Sequence, residues 1–168
     1  MSKTIPISKG LKIKWKGPFD MGELYSLIKE WLTWEGYGDE KKTFQEEVYV
    51  ERIKGDSKQI EIKWCAEKFM GPYLLHTINI TFNILGMKDI EVEIDGKKIG
   101  TNKLDLSLKM DAKVTTDRQG KFKKRKFIKK LYEDYIINER ISASKSMLSA
   151  KAYTLADEIK EYLELRRA

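Results

Sequence analysis

The chain has 168 residues, 35% of them charged, and a formal net charge of +7. That length suits one domain able to bury roughly two-thirds of its unfolded surface without staples. The composition argues against several classes: Cys65 is alone and cannot form an internal bridge, no apolar run approaches the roughly 18 residues of a membrane span, and Met1-Ser2-Lys3-Thr4 lacks the apolar stretch of a secretion signal. A reducing, cytoplasmic setting with no transmembrane segment is the expectation. Lysine, glutamate and isoleucine are abundant while glutamine, asparagine and histidine are scarce, a bias of hyperthermophile proteins and also of AT-rich genomes.

Leu11-Lys12-Ile13-Lys14-Trp15-Lys16 alternates apolar residues with lysine, which predicts an edge strand whose lysines discourage further pairing, stopped by Gly17-Pro18. A helix start follows. Asp20 as N-cap with Glu23 three positions on makes a capping box, and Phe19 with Leu24 makes a hydrophobic staple. Leu24, Leu27, Ile28, Trp31 and Trp34 recur at helical spacing, and Gly36 is placed to end the helix. That stripe predicts a face laid on a sheet. Trp31 and Trp34, with Trp64, are also candidates to line an apolar ligand cavity.

Residues 46 to 53 and 58 to 67 read as a hairpin around Lys54-Gly55-Asp56-Ser57. Keeping Val48 and Val50 on the face of Ile60 and Ile62 requires an odd loop, so a three- or five-residue connection is expected. Gly71-Pro72 then turns the chain into the central strand, His76 to Leu85, in which alternate residues are apolar. Gly86 to Asp89 predicts another turn, Ile90 to Ile94 another strand, and Asp95-Gly96 the dipeptide of a type I′ hairpin. Lys103 to Thr115 is the last long strand. Shared even parity predicts that Ile62, Trp64, Ile78, Ile80, Phe82, Val92, Leu106 and Leu108 are buried together.

No glycine follows Gly120 and no proline follows Pro72, so nothing from Lys121 onward forces the backbone out of a helix. One helix of roughly 46 residues would span about 69 Å, long for this domain, and Ser142 to Ser146 supplies weak helix formers. Two helices are therefore expected, about 121 to 141 and 144 to 166. Phe127, Ile128, Leu131, Tyr135 and Ile136 give the first an apolar face; Leu148, Leu155, Ile159, Tyr162 and Leu163 give the second one. The fold class is α+β: an antiparallel sheet of five or six strands, one face covered by helices, in a single domain with residues 1 to 120 as body and 121 to 168 as helical segment.

The order strand, helix, antiparallel meander, C-terminal helix resembles the helix-grip arrangement of START-like and polyketide-cyclase-like proteins, although this chain has one marked early helix instead of two and an extra C-terminal helix. That resemblance implies a sheet wrapped around the C-terminal helix with an apolar ligand between them. Asp89 to Asn102, with Lys121 onward, is similar to small archaeal proteins of uncharacterised activity.

Chemistry-bearing constellations are few. His76 and Cys65 are the only residues of their kinds and fall on opposite strand faces by parity, which disfavours a Cys-His catalytic pair. Glu91, Glu93 and Asp95 alternate on one strand, with Lys63, Lys109, Lys113 and Glu61 expected nearby. Such acids are able to hold a divalent metal, but a solvated sheet face with cross-strand ion pairs is the commoner use of them and the favoured reading. There is no phosphate-binding glycine loop and no nucleophile elbow, and no cofactor is called for.

Charge is concentrated instead. Lys121, Lys123, Lys124, Arg125, Lys126, Lys129 and Lys130 put seven positive charges into ten residues, and everything outside that decapeptide sums to zero. With no i,i+4 acid to relieve them before Glu133 and Asp134, that repulsion argues for a use. The leading expectation is a non-enzymatic module that engages a polyanion, either nucleic acid or an anionic membrane surface, with an acidic protein as a third partner class. A helix-grip-like carrier of an apolar ligand comes next, and a metal-dependent enzyme third.

Overall fold

A computed structural model describes residues 3–37, 44–71, 73–117, 119 and 125–165. Five strands, β1 (Lys3–Phe19), β2 (Phe44–Lys54), β3 (Ser57–Met70), β4 (Leu74–Ile94) and β5 (Lys97–Thr116), form one antiparallel sheet in the order β1-β5-β4-β3-β2. The helices α1 (Met21–Trp34) and α3 (Asn138–Leu165) cover one face, and a short helix α2 (Lys126–Leu131) precedes α3. The fold is α+β with a long C-terminal helix, as the patterning predicts. β1 is an edge strand, but it continues through Gly17-Pro18, pairing them with Leu104 and Lys103. Proline is tolerated there because an edge strand has one side free of ladder bonds.

The core lies where the even-numbered side chains of β3, β4 and β5 meet the helices. Trp64, Ile78, Ile80, Phe82, Leu106 and Leu108 are all buried, with Ile28, Leu155 and Ile159 against them from the helices. Both ends of α1 are closed as its sequence implies. Asp20 Oδ1 accepts from the Glu23 N–H at 3.2 Å, and Phe19 and Leu24 are buried. At the far end the Gly36 N–H donates to Thr33 O at 3.0 Å and the Tyr37 N–H to Leu32 O at 2.7 Å, a Schellman closure that Gly36 permits with φ +87°. Lys68 Nζ donates to Glu35 O at 2.9 Å, placing a cation at the negative end of the helix. Lys151 reaches Glu35 from α3 at 2.5 Å, and the Tyr162 hydroxyl donates to Asp20 O at 3.2 Å, so α3 holds α1 at both termini.

Two hairpin expectations are corrected. Lys54 pairs with Ser57, leaving Gly55-Asp56 as a two-residue turn with Gly55 at φ +64°, suited to a type II′ turn. Val48 and Val50 therefore stand opposite Lys63 and Glu61 on the open face. A register shift between Glu46 and Val48 returns Phe44 to the core side, opposite Ala66. One bulged residue changes the parity, which strict alternation cannot foresee. Likewise β4 does not turn at 86 to 89. It runs on through a bulge between Leu85 and Lys88, where Gly86 takes φ +62°. Beyond that bulge the alternation inverts, and from Ile90 opposite Thr101 onward β4 and β5 pair only with each other, ending in Asp95-Gly96, both with positive φ as a type I′ turn requires. Val92, expected in the core, sits in this arm opposite Ile99, and its side chain lies outside those described.

The C-terminal break is also displaced. Ser142 to Ser146 is continuous helix inside α3, with Ser144 buried on the stripe that runs from Ile137 and Ile141 to Leu148 and Leu155. Packing of that stripe outweighs the modest propensity cost of serine. The interruption instead lies at a π-helical turn, Tyr132–Ile136, where the Ile137 N–H donates to Tyr132 O at 3.1 Å.

Candidate functional site

The described part of the basic segment, from Arg125, meets the body at one end of the sheet, where β4 begins and β5 stops. Leu74 pairs with Thr116, which brings Tyr73 and Asp117 to that end; Thr116 and Asp117 are buried. The Tyr73 hydroxyl donates to Glu133 Oε1 at 2.5 Å. Lys129 Nζ lies 4.0 Å from the same oxygen, and the rings of Tyr73 and Tyr132 meet edge-on at 5.2 Å. Burial pushes the Tyr73 phenol up, and the carboxylates of Glu133 and Asp117 push it further, so it remains a hydrogen-bond donor.

This contact fixes which side of α2 faces inward. Lys129, expected in the polyanion-binding set, is only 8% exposed and is corrected to an anchoring residue. Phe127 and Leu131 stand two positions on either side of it, about 200° away around the helix. Both point outward. Phe127 is 75% exposed, Tyr135 81% and Ile136 70%, and Ile128 and Leu131 are exposed as well. The five residues expected to bury the first C-terminal helix form an outward apolar face instead. Arg125, Lys126 and Lys130 are exposed beside it, and among the described residues none of the three is ion-paired. Lys121, Lys123 and Lys124 lie outside the described residues. The outward face follows from Lys129 and Glu133, an i,i+4 pair visible in the sequence, but the side that turns inward depends on Tyr73, sixty positions from Glu133.

The other candidate groups do not assemble. Trp64 is filled around by Tyr25, Phe44 and Phe82, whose rings meet it edge-on at 4.6, 5.3 and 5.0 Å. Trp34 is 88% exposed and shares with Trp31 a shallow surface depression in which Trp64 has no part, so the three tryptophans do not line a common cavity. Glu91 pairs with Gly100 and Glu93 with Lys98 near the tip of the arm, whereas Lys109 and Lys113 stand opposite Thr81 and Thr77 and Lys63 opposite Thr81, so the expected acid–lysine face is not formed. The bulge at Leu85 is the cause. Among the described residues no three His, Cys, Asp or Glu side chains are grouped to hold a metal. His76 is fully buried on the core face, while Cys65 is half-buried on the open face with its thiol pushed up, first by burial and then by Glu67 and Glu47. That environment opposes thiolate chemistry.

No known protein family matches the chain, and no curated protein is found to be similar to it. Among the described residues, no helix is long and apolar enough to cross a membrane.

Proposed function

We propose that the protein is a non-enzymatic module that docks on an anionic membrane surface through residues 125 to 136. The single observation that carries this reading is the outward apolar face of Phe127, Ile128, Leu131, Tyr135 and Ile136 beside the exposed Arg125, Lys126 and Lys130. Cations alone suit any polyanion. Aliphatic side chains such as Ile128, Leu131 and Ile136 offer nothing to stack on bases, so nucleic acid leaves their exposure unexplained. At a bilayer they enter the acyl boundary while the lysines stay at headgroup level.

The magnitudes suffice for reversible binding. Each cation near an anionic leaflet contributes about 1 kcal/mol, and burying an exposed phenylalanine or isoleucine contributes about 1.5 to 3 kcal/mol. Co-sedimentation with phosphatidylglycerol vesicles tests the reading. Phe127→Ser with Tyr135→Ser should weaken binding by roughly 30-fold or more without lowering the melting temperature, and Lys126→Gln with Lys130→Gln by roughly 10-fold or more. Equal binding to neutral phosphatidylcholine vesicles, or tighter binding to a DNA duplex that ignores the two aromatic changes, would overturn it.

A further inference from the structure

The open face of the sheet carries a second basic site. Its register is fixed by the ladders: Lys12 stands opposite Lys109, Lys14 opposite Ser107, and Lys16 opposite Asp105; on the other flank Ser107 faces Asn83, Asp105 faces Leu85, and Lys103 faces Lys88. Successive rows are about 6.7 Å apart along the strands and neighbouring columns about 4.8 Å apart across them. A strip of lysines three strands wide results. Like charges placed directly opposite in a sheet are destabilising. Here two such pairs, Lys12 with Lys109 and Lys88 with Lys103, stand at the two ends of one strip. Lys88 is relieved by Asp56 at 3.3 Å, but among the described residues Lys12, Lys14, Lys16, Lys103 and Lys109 are in no ion pair.

Between those ends the surface is concave. A depression of about 360 Å³, its surface mostly apolar, is lined by Trp15, Leu85 and Leu106 together with Lys14, Lys16, Asn83, Asp105 and Ser107. It adjoins a second hollow of about 170 Å³ that shares Lys16, Leu85 and Asp105 and adds Lys88 and Lys103. The β4 bulge shapes the second: it re-aims the strand at Gly86 and brings Lys88 to the open face beside Lys103. Leu85, half exposed, lines both hollows. Cations surround an apolar spot, with Ser107 and Asn83 able to donate hydrogen bonds and Asp105 as the single acid.

We infer that this hollow binds a small organic diphosphate, its phosphates on Lys14, Lys16 and Lys103 and its organic part over Leu85. Two phosphates match more than one lysine row, and ammonium groups bind phosphate as point charges without needing a fixed fork. The same chemistry reaches a protein from a soluble nucleotide or from a membrane-derived isoprenyl diphosphate. The site lies toward the opposite end of β4 from Tyr73 and stands independently of the segment at 125 to 136.

Backbone amide NMR titrations with inorganic pyrophosphate, ADP and a short-chain isoprenyl diphosphate test it. Shifts should cluster at residues 14–16, 83–88 and 103–107 for all three. Lys14→Gln with Lys103→Gln should raise each Kd at least tenfold without a loss of melting temperature, and Phe127→Ser with Tyr135→Ser should leave them unchanged. Leu85→Ala should weaken whichever organic diphosphate is the better ligand and leave pyrophosphate unaffected, so the source is identified by that ligand. The inference is overturned if millimolar ligand shifts nothing in these strands, if the shifts lie at 125–130 instead, or if the double lysine variant binds as tightly as the wild type.

Discussion

Acidification should weaken this protein through one residue. His76 stands on β4 between Lys68 of β3 and Val114 of β5, fully buried, with neither ring nitrogen hydrogen-bonded. Burial, and then the Lys68 charge, lower its pKa from 6.5 to about 4. The folded state therefore holds the imidazole neutral at pH values where the unfolded chain already binds a proton. Because the unfolded state binds more protons between those two values, stability is complete above about pH 6.5 and is lost as the pH falls toward 4. The slope approaches 1.4 kcal/mol per pH unit, and the total is on the order of 3 kcal/mol. His76→Leu separates this effect from the carboxylates that also titrate near pH 4. Leucine removes a buried polar ring without partners, a change that is neutral or stabilising when shape is kept. Urea melts from pH 4 to 8 should show the variant at least as stable as the wild type at pH 7 and ahead of it by a growing margin as the pH falls. A variant that loses more than about 1.5 kcal/mol at pH 7, the size of a typical net hydrogen bond, would show that the imidazole is bonded in the core and that the reasoning is wrong.

Phe82→Ala should cost about 3 to 5 kcal/mol in the same melts, because the ring is fully buried at the middle of β4 against Trp64; a loss under about 1 kcal/mol would contradict its place in the core. Tyr73→Phe deletes the donor to Glu133 and should cost about 1.5 to 3 kcal/mol, the value of a hydrogen bond to a charged group. Hydrogen exchange should then quicken at the amides of α2 before those of α3, and uniform quickening would refute a local latch.

Much of the fold was legible because its strongest signals are local. The N-cap at Asp20, the glycine after α1, the Asp95-Gly96 turn and the even-numbered apolar residues of β3 to β5 each state their structure within a few positions. The errors of facing share one physical origin. A bulge at Glu46 to Val48 and another at Leu85 to Lys88 insert a residue into an otherwise regular alternation, and the π-helical turn inserts one into a helix. Each changes which side every later residue faces, and each is stabilised by packing that local sequence does not contain. The candidate surface was half legible for the same reason. Its charges stand plainly in Lys121 to Lys130, but the outward aim of Phe127 and Leu131 is set by Lys129 turning toward Glu133 and Tyr73.

The π-helical turn should therefore be what presents the apolar face, and removing one residue tests this. Deleting Asp134, which is exposed, would let the stretch from Lys126 to Leu165 close as ordinary α-helix, turning everything before the deletion by about 100° and drawing it about 1.5 Å closer to α3. The buried stripe of α3 from Ile141 to Leu163 is untouched, so the melting transition should remain cooperative. Lys129 and Glu133, however, can no longer both keep their places beside Tyr73. Phe127 and Leu131 are carried a quarter-turn or more from their present direction, toward the body of the protein. Affinity for phosphatidylglycerol vesicles should fall at least tenfold, while the chain keeps every charge of the basic segment and loses only one acid, which by charge alone should strengthen binding. The sign of the change decides between the two accounts: weaker binding means that the aim of the apolar face governs docking, and unchanged or tighter binding means that net charge does and that the π-helical turn has no part in it.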